Sequence, residues 1–122
     1  MSSKILIVED DFANQQVASL FIKKFGYPFE VAENGQIAVN KAMQTHFGLI
    51  LMDCQMPIMD GFEATKKIRN AKGPNQDTPI IALTANIVNG IEKECIKIGM
   101  NDLLNKPVSM NTMKEMIEKW LI

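Results

Sequence analysis

Short apolar runs and longer amphipathic stretches take turns along the chain. Lys4 to Val8 is the first run, rich in β-branched residues. It predicts a strand that ends in three consecutive acids, Glu9, Asp10 and Asp11. Val17, Leu20, Phe21 and Phe25 then recur on one stripe at helical spacing, and Gly26 stops that helix. Phe29-Glu30-Val31-Ala32 predicts a half-polar strand nearer a sheet edge. After an Asn34-Gly35 turn, Ile37, Ala38, Ala42 and Met43 line a second helix. Leu49-Ile50-Leu51-Met52 is apolar without interruption, the pattern of a strand buried on both faces of a parallel sheet. It ends at Asp53.

A third helix follows Asp60-Gly61 through Phe62, Ala64, Thr65 and Ile68. Its basic end, Lys66, Lys67 and Arg69, suits the helix dipole and needs no partner. A polar loop from Ala71 to Thr78 leads to a fourth strand, Pro79 to Leu83, ending at Thr84. Asn86 to Ile98 predicts a helix with Ile87, Ile91, Cys95 and Ile98 on one face, stopped by Gly99. Asp102-Leu103-Leu104 is a brief fifth strand that delivers Lys106-Pro107. From about Ser109 the last helix carries Met113, Met116, Ile117, Trp120 and Leu121, an amphipathic stripe. Its Met and Ile side chains suit core packing first, and a weak homodimer surface second.

Strands alternating with helices across short loops imply repeated right-handed βαβ units. The expected fold is α/β: a flavodoxin-like, doubly wound, five-stranded parallel sheet of order 2-1-3-4-5 with five helices, one domain over residues 1–122. No repeat, low-complexity segment or linker divides it.

Composition changes this picture little. At 47% hydrophobic and 22% charged, the chain is ordinary for a globular domain. A formal net charge of −1 gives no reason to expect nucleic acid or an anionic membrane as partner. No apolar run approaches the ~20 residues of a membrane span, and the start is not a signal peptide, so the expected setting is the cytoplasm. Cys54 and Cys95 make neither a disulfide framework nor a zinc site, and read as small buried residues. His46 has no second ligand near it in sequence.

The chemistry gathers elsewhere. Parallel strands point their C-termini to one edge, where such sheets bind ligands. Glu9, Asp10, Asp11, Asp53, Thr84 and Lys106 all follow strands, so they share that edge. Carboxylates ~5 Å apart repel by about 3 kcal/mol per pair at an effective dielectric of roughly 20. An all-oxygen pocket of this kind suits a hard divalent cation, Mg²⁺ in particular. Cation and Lys106 together could offset the charge of a phosphoryl group, with Thr84 donating a hydrogen bond and Asp53 attacking. Asp11 and Asp60 are better read as helix caps.

The residues that carry this chemistry also carry a resemblance. Ile5-Leu6-Ile7-Val8-Glu9-Asp10-Asp11, Met52-Asp53-Cys54-Gln55-Met56-Pro57 with Asp60-Gly61, Ala82-Leu83-Thr84-Ala85 and Lys106-Pro107 resemble, in order and spacing, the receiver domains of two-component response regulators. The wording around Asp53 and Gly99-Met100-Asn101-Asp102 is most similar to receivers of hybrid sensor histidine kinases. The resemblance implies that Asp53 accepts a phosphoryl group from a histidine kinase or histidine phosphotransfer domain. It implies Mg²⁺ held by Asp10, Asp53 and the Gln55 carbonyl, with Glu9 reaching through water. Lys106 would bridge carboxylate and phosphoryl group, with a cis bond to Pro107. Any enzymatic activity of the domain itself would be limited to its own phosphorylation and dephosphorylation. The family's inward-turning aromatic belongs at Leu103, and leucine cannot make that movement. This departure points to a weakened surface switch, or to a phosphoryl carrier in a relay.

Other strand-end chemistries fit less well. A flavodoxin would need a Ser/Thr/Gly-rich phosphate loop where Glu9-Asp10-Asp11 stand. A haloacid-dehalogenase-type phosphatase would need a second aspartate where Gln55 stands. A receiver-like binding module that is never phosphorylated would have no use for the acid cluster.

Overall fold

A computed structural model of the chain describes residues 3–85 and 90–121. Ten elements alternate: β1 (Ile5–Val8), α1 (Phe12–Phe25), β2 (Phe29–Ala32), α2 (Gly35–Gln44), β3 (Leu49–Asp53), α3 (Gly61–Asn70), β4 (Ile80–Thr84), α4 (Ile91–Ile98), β5 (Asp102–Asn105) and α5 (Met110–Trp120). The strands form one parallel sheet in the order β2-β1-β3-β4-β5, the order expected of a flavodoxin-like fold.

Side chains of a strand alternate between its faces, and the sheet sorts its residues accordingly. Leu6, Val8, Ile50, Met52, Ile80 and Ala82 meet Ala38, Ala42, Ala64, Ile68 and Cys95 from α2, α3 and α4. Ile5, Ile7, Leu49, Leu51, Ile81 and Leu83 meet Ala18, Ile22, Met113 and Ile117 from α1 and α5. Every residue of β1 and β3 is buried, which explains why neither reads as an alternating strand. Each large side chain fully buried there contributes about 1.5–3 kcal/mol. Half-polar β2 lies at the sheet edge, as expected.

Caps follow the sequence. Asp11, Asn34, Asp60 and Ser109 each accept a backbone N–H from the third residue beyond, as N-caps do. The predicted helix from Asn86 is described only from Ile91, since Asn86 and Ile87 lie outside the described residues.

Two expectations need correction. The core face of α1 is Ala18 and Ile22, flanked by half-buried Phe21 and Phe25, whereas Val17 and Leu20 are 50% and 55% exposed. Two adjacent stripes of this helix are apolar, and the one that holds Ala18 and Ile22 packs against the sheet. The basic end of α3 also divides. Lys66 and Lys67 are exposed, but the half-buried Arg69 donates to the carbonyls of Gly99, Asn75, Gln76 and Thr78 and to Asn101 Oδ1, over 2.7–3.2 Å. Its guanidinium ties three segments together, which a dipole alone would not require.

Candidate functional site

Strand register brings the predicted residues together. Val8 pairs with Met52, so Glu9 leaves β1 level with Asp53 at the end of β3. Thr84 ends β4 opposite Asn105, and the Lys106 N–H donates to the Thr84 carbonyl (2.7 Å), which brings Lys106 to the same edge. The bond from Lys106 to Pro107 is cis.

Carboxylate oxygens of Glu9, Asp10 and Asp53 lie within 4.8 Å of one another. Glu9 and Asp53 are buried, and Asp10 is exposed. Lys106 Nζ reaches between the buried pair, 2.7 Å from Glu9 Oε1 and 3.1 Å from Asp53 Oδ2. Burial alone would lower the Lys106 pKa, but the carboxylates of Glu9 and Asp53 outweigh it and hold the pKa above its ordinary value. Asp53 Oδ1 accepts the Gln55 N–H (3.3 Å), and Glu9 Oε2 accepts the Asp11 N–H (3.3 Å). Gln15 holds the Glu9 carbonyl at 2.8 Å. Buried Thr84 completes the edge.

Glycine permits the close approach beneath Asp53. The Gly61 N–H donates to the Cys54 carbonyl (3.1 Å), and a Cβ on Gly61 would collide with the Asp53 carbonyl. The start of α3 is therefore packed directly against the end of β3. Cys54 itself is buried, and its thiol is pushed up to about 12 by burial, with Cys95 and Asp53 adding to the effect. A thiol so firmly protonated is no nucleophile, in keeping with its reading as a small core residue.

The donor set fits a hard cation: three carboxylates, no soft ligand, and both charge and access from one exposed side. Sequence reasoning missed the surface beside this pocket. A cleft of about 430 Å³ runs from Glu9 and Lys106 between α1 and α5, past Val17, Phe21 and Met113. Exposed Phe12, Val17 and Leu20 extend its apolar character along α1. Val17 and Leu20 belong to the apolar stripe that helical spacing marks on α1, and spacing does not say whether a stripe faces core or solvent.

The family described as the response regulator receiver domain matches residues 5–118. Hybrid signal transduction histidine kinase B of Dictyostelium discoideum is 44% identical over 97% of this chain, which covers 7% of that protein. Across eight similar curated proteins the chain spans only 4–14% of their lengths. Among solved structures, the receiver domain of sensor histidine kinase PA1611 from Pseudomonas aeruginosa, with magnesium coordinated in its active site cleft, is 36% identical. It has a TM-score of 0.90 and covers 99% of this chain and 98% of its own. The co-crystal of the Saccharomyces cerevisiae histidine phosphotransfer protein Ypd1 with the receiver domain of Ssk1 matches at 32% identity and TM-score 0.88. It covers 98% of this chain and 89% of its own. No helix among the described residues is long and apolar enough to cross a membrane.

Proposed function

This chain belongs to the response regulator receiver family, and from that premise we propose that Asp53 is its phosphoacceptor, taking a phosphoryl group from a phosphohistidine in a relay. The observation that carries the reading is the setting of Asp53. It is a buried carboxylate at a parallel strand's end, held by Lys106 and Gln55 within an acid cluster that opens to solvent at Asp10.

An Asp53 oxygen would form the bond to phosphorus as the bond from phosphorus to the donor's imidazole nitrogen breaks, its electron pair leaving with the imidazole. Lys106, already shared between Glu9 and Asp53, is placed to follow the charge onto the phosphoryl oxygens. Thr84 stands at the end of the neighbouring strand to donate its hydroxyl there. Asp10, Asp53 and the Gln55 carbonyl would hold Mg²⁺, with Glu9 behind them. When bound, the cation offsets phosphoryl charge and the repulsion among the acids. The exposed apolar residues of α1 offer a protein donor its footing.

Leu103 is half-buried and packs against the core shared by α2, α3 and α4. It has no polar end to draw outward or inward, which favours a carrier that passes the phosphoryl group on over one that reshapes this surface. The similar hybrid kinases and the Ypd1 complex support a relay setting.

Intact mass after incubation with a small acyl phosphate tests this reading. Wild type gains one phosphoryl group only with Mg²⁺, and Asp53→Asn gains none. A folded wild-type chain that stays unmodified would instead mark a phosphorylation-independent binding module.

A further inference from the structure

The loop that closes over Asp53 holds one residue in an unfavourable backbone state. Ile58 has φ +71°, the only non-glycine residue beyond zero among those described. Met59 N–H donates back to the Pro57 carbonyl at 2.8 Å, so Ile58 is the apex of a three-residue turn of the strained kind. A β-branched side chain is poorly suited to that region, where glycine or asparagine would sit at ease.

Both sides of the turn are fixed. Met59 is buried, and its carbonyl accepts the Gly35 N–H at 3.2 Å, where a Cβ on Gly35 would collide with it. Two residues on, Gly61 is locked to Cys54 and Asp53. The frame thus sends Met59 inward and Ile58 outward. At 82%, Ile58 is the most exposed large hydrophobic side chain among the described residues. Strain and exposure at one residue together gain the fold nothing, so the account lies outside the folded chain.

We infer that Ile58 is a docking anchor for the protein that delivers the phosphoryl group, seated in an apolar spot beside that donor's phosphohistidine. This rests on the phosphoacceptor reading of Asp53. A histidine can reach the Asp53 carboxylate only if its own protein surface covers the strand-end edge. The loop from Cys54 to Asp60 is part of that edge, since its two ends meet at Asp53 and Gly61. The side chain best placed to meet such a surface is the one the turn holds out. A small acyl phosphate, which has no such surface, would not touch it.

Ile58→Asn keeps the backbone state and removes the apolar surface, whereas Ile58→Leu keeps the surface and removes the branch at Cβ. The melting temperature should rise by about 3–6 °C in Ile58→Asn and by less in Ile58→Leu. Labelling by a small acyl phosphate should stay within roughly twofold of wild type in both. Transfer from Ypd1 charged on its histidine should fall roughly tenfold or more in Ile58→Asn and hold in Ile58→Leu. Unchanged transfer to Ile58→Asn would overturn the inference. So would a lowered melting temperature in that variant, or a wild-type chain labelled by the small donor but never by Ypd1. Loss of labelling by both donors in wild type would strike the phosphoacceptor reading instead.

Discussion

The two ends of the sheet handle buried polarity in opposite ways. At the C-terminal edge, oxygens of three carboxylates crowd within 4.8 Å of one another while one ammonium reaches two of them, and the arrangement remains short of positive charge. At the other end, polar groups are matched almost bond for bond. Buried Asn75 accepts the Phe47 N–H at 2.8 Å and donates to the Ala42 and Thr45 carbonyls at 2.6 and 2.7 Å. Thr78 lies 2.9 Å from the same amide oxygen, and Arg69 gathers the surrounding carbonyls. One end is a site because its charge is incomplete; the other is scaffold because nothing is left over. The difference teaches where to look for function: in unbalanced polarity, not in polarity as such.

Substitution at each end should therefore give opposite signs. Asp10→Asn should lower Mg²⁺-dependent phosphoryl uptake by about a hundredfold or more, read by intact mass. In Mg²⁺-free buffer the same variant should melt higher, since a like charge beside Glu9 and Asp53 is removed. Normal uptake, or a lower melting point, would break the comparison.

Asn75→Ala leaves a buried N–H and two carbonyls without their partner. Urea unfolding should show a loss of about 3 kcal/mol, while uptake per folded molecule stays as in wild type. Arg69→Lys keeps the charge but cannot span five acceptors, so a loss of roughly 1–2 kcal/mol is expected in the same measurement. A neutral result there would reduce Arg69 to the dipole partner that its sequence position suggests.

The smallest effect sharpens the pH side. Hydrogen-bonded Lys4 and Lys41 hold the Glu30 carboxyl below its ordinary 4.5, against the opposing pull of burial. A carboxyl depressed in the folded state stabilises above its unfolded pKa and loses that contribution as pH falls through the folded value. Glu30→Gln should therefore cost under about 1 kcal/mol at neutral pH, and the gap from wild type should close in acid. A gap that persists below the folded pKa would assign the effect to packing.

Much of this was legible in the chain. Apolar runs and helical spacing suffice for the elements and the parallel sheet, whereas the order 2-1-3-4-5 comes with the flavodoxin-like architecture, since alternation alone fits other doubly wound orders. The strand-end residues follow at once, since parallel strands deliver their last residues to one edge. What escaped was directional. Val17 and Leu20 satisfy the same spacing as core residues, and only packing around Ala18 and Ile22 shows which stripe turns inward. Asn75 sits in a polar loop that reads as exposed, yet it is fully buried, because its amide substitutes for missing backbone partners. Ile58 reads as one more apolar residue in a turn, because φ is not written in residue type.

Trp120 gives the far end a use of its own. Its indole N–H donates to Asp102 at 2.9 Å, Lys119 holds the same carboxylate oxygen at 3.0 Å, and the ring lines a cleft with His46 and Pro79. The chain has a single tryptophan, so its ultraviolet emission comes from one clasp between α5 and the start of β5. That light should serve as a gauge of the scaffold, following this clasp as it melts and not the occupancy of Asp53 at the opposite edge of the sheet.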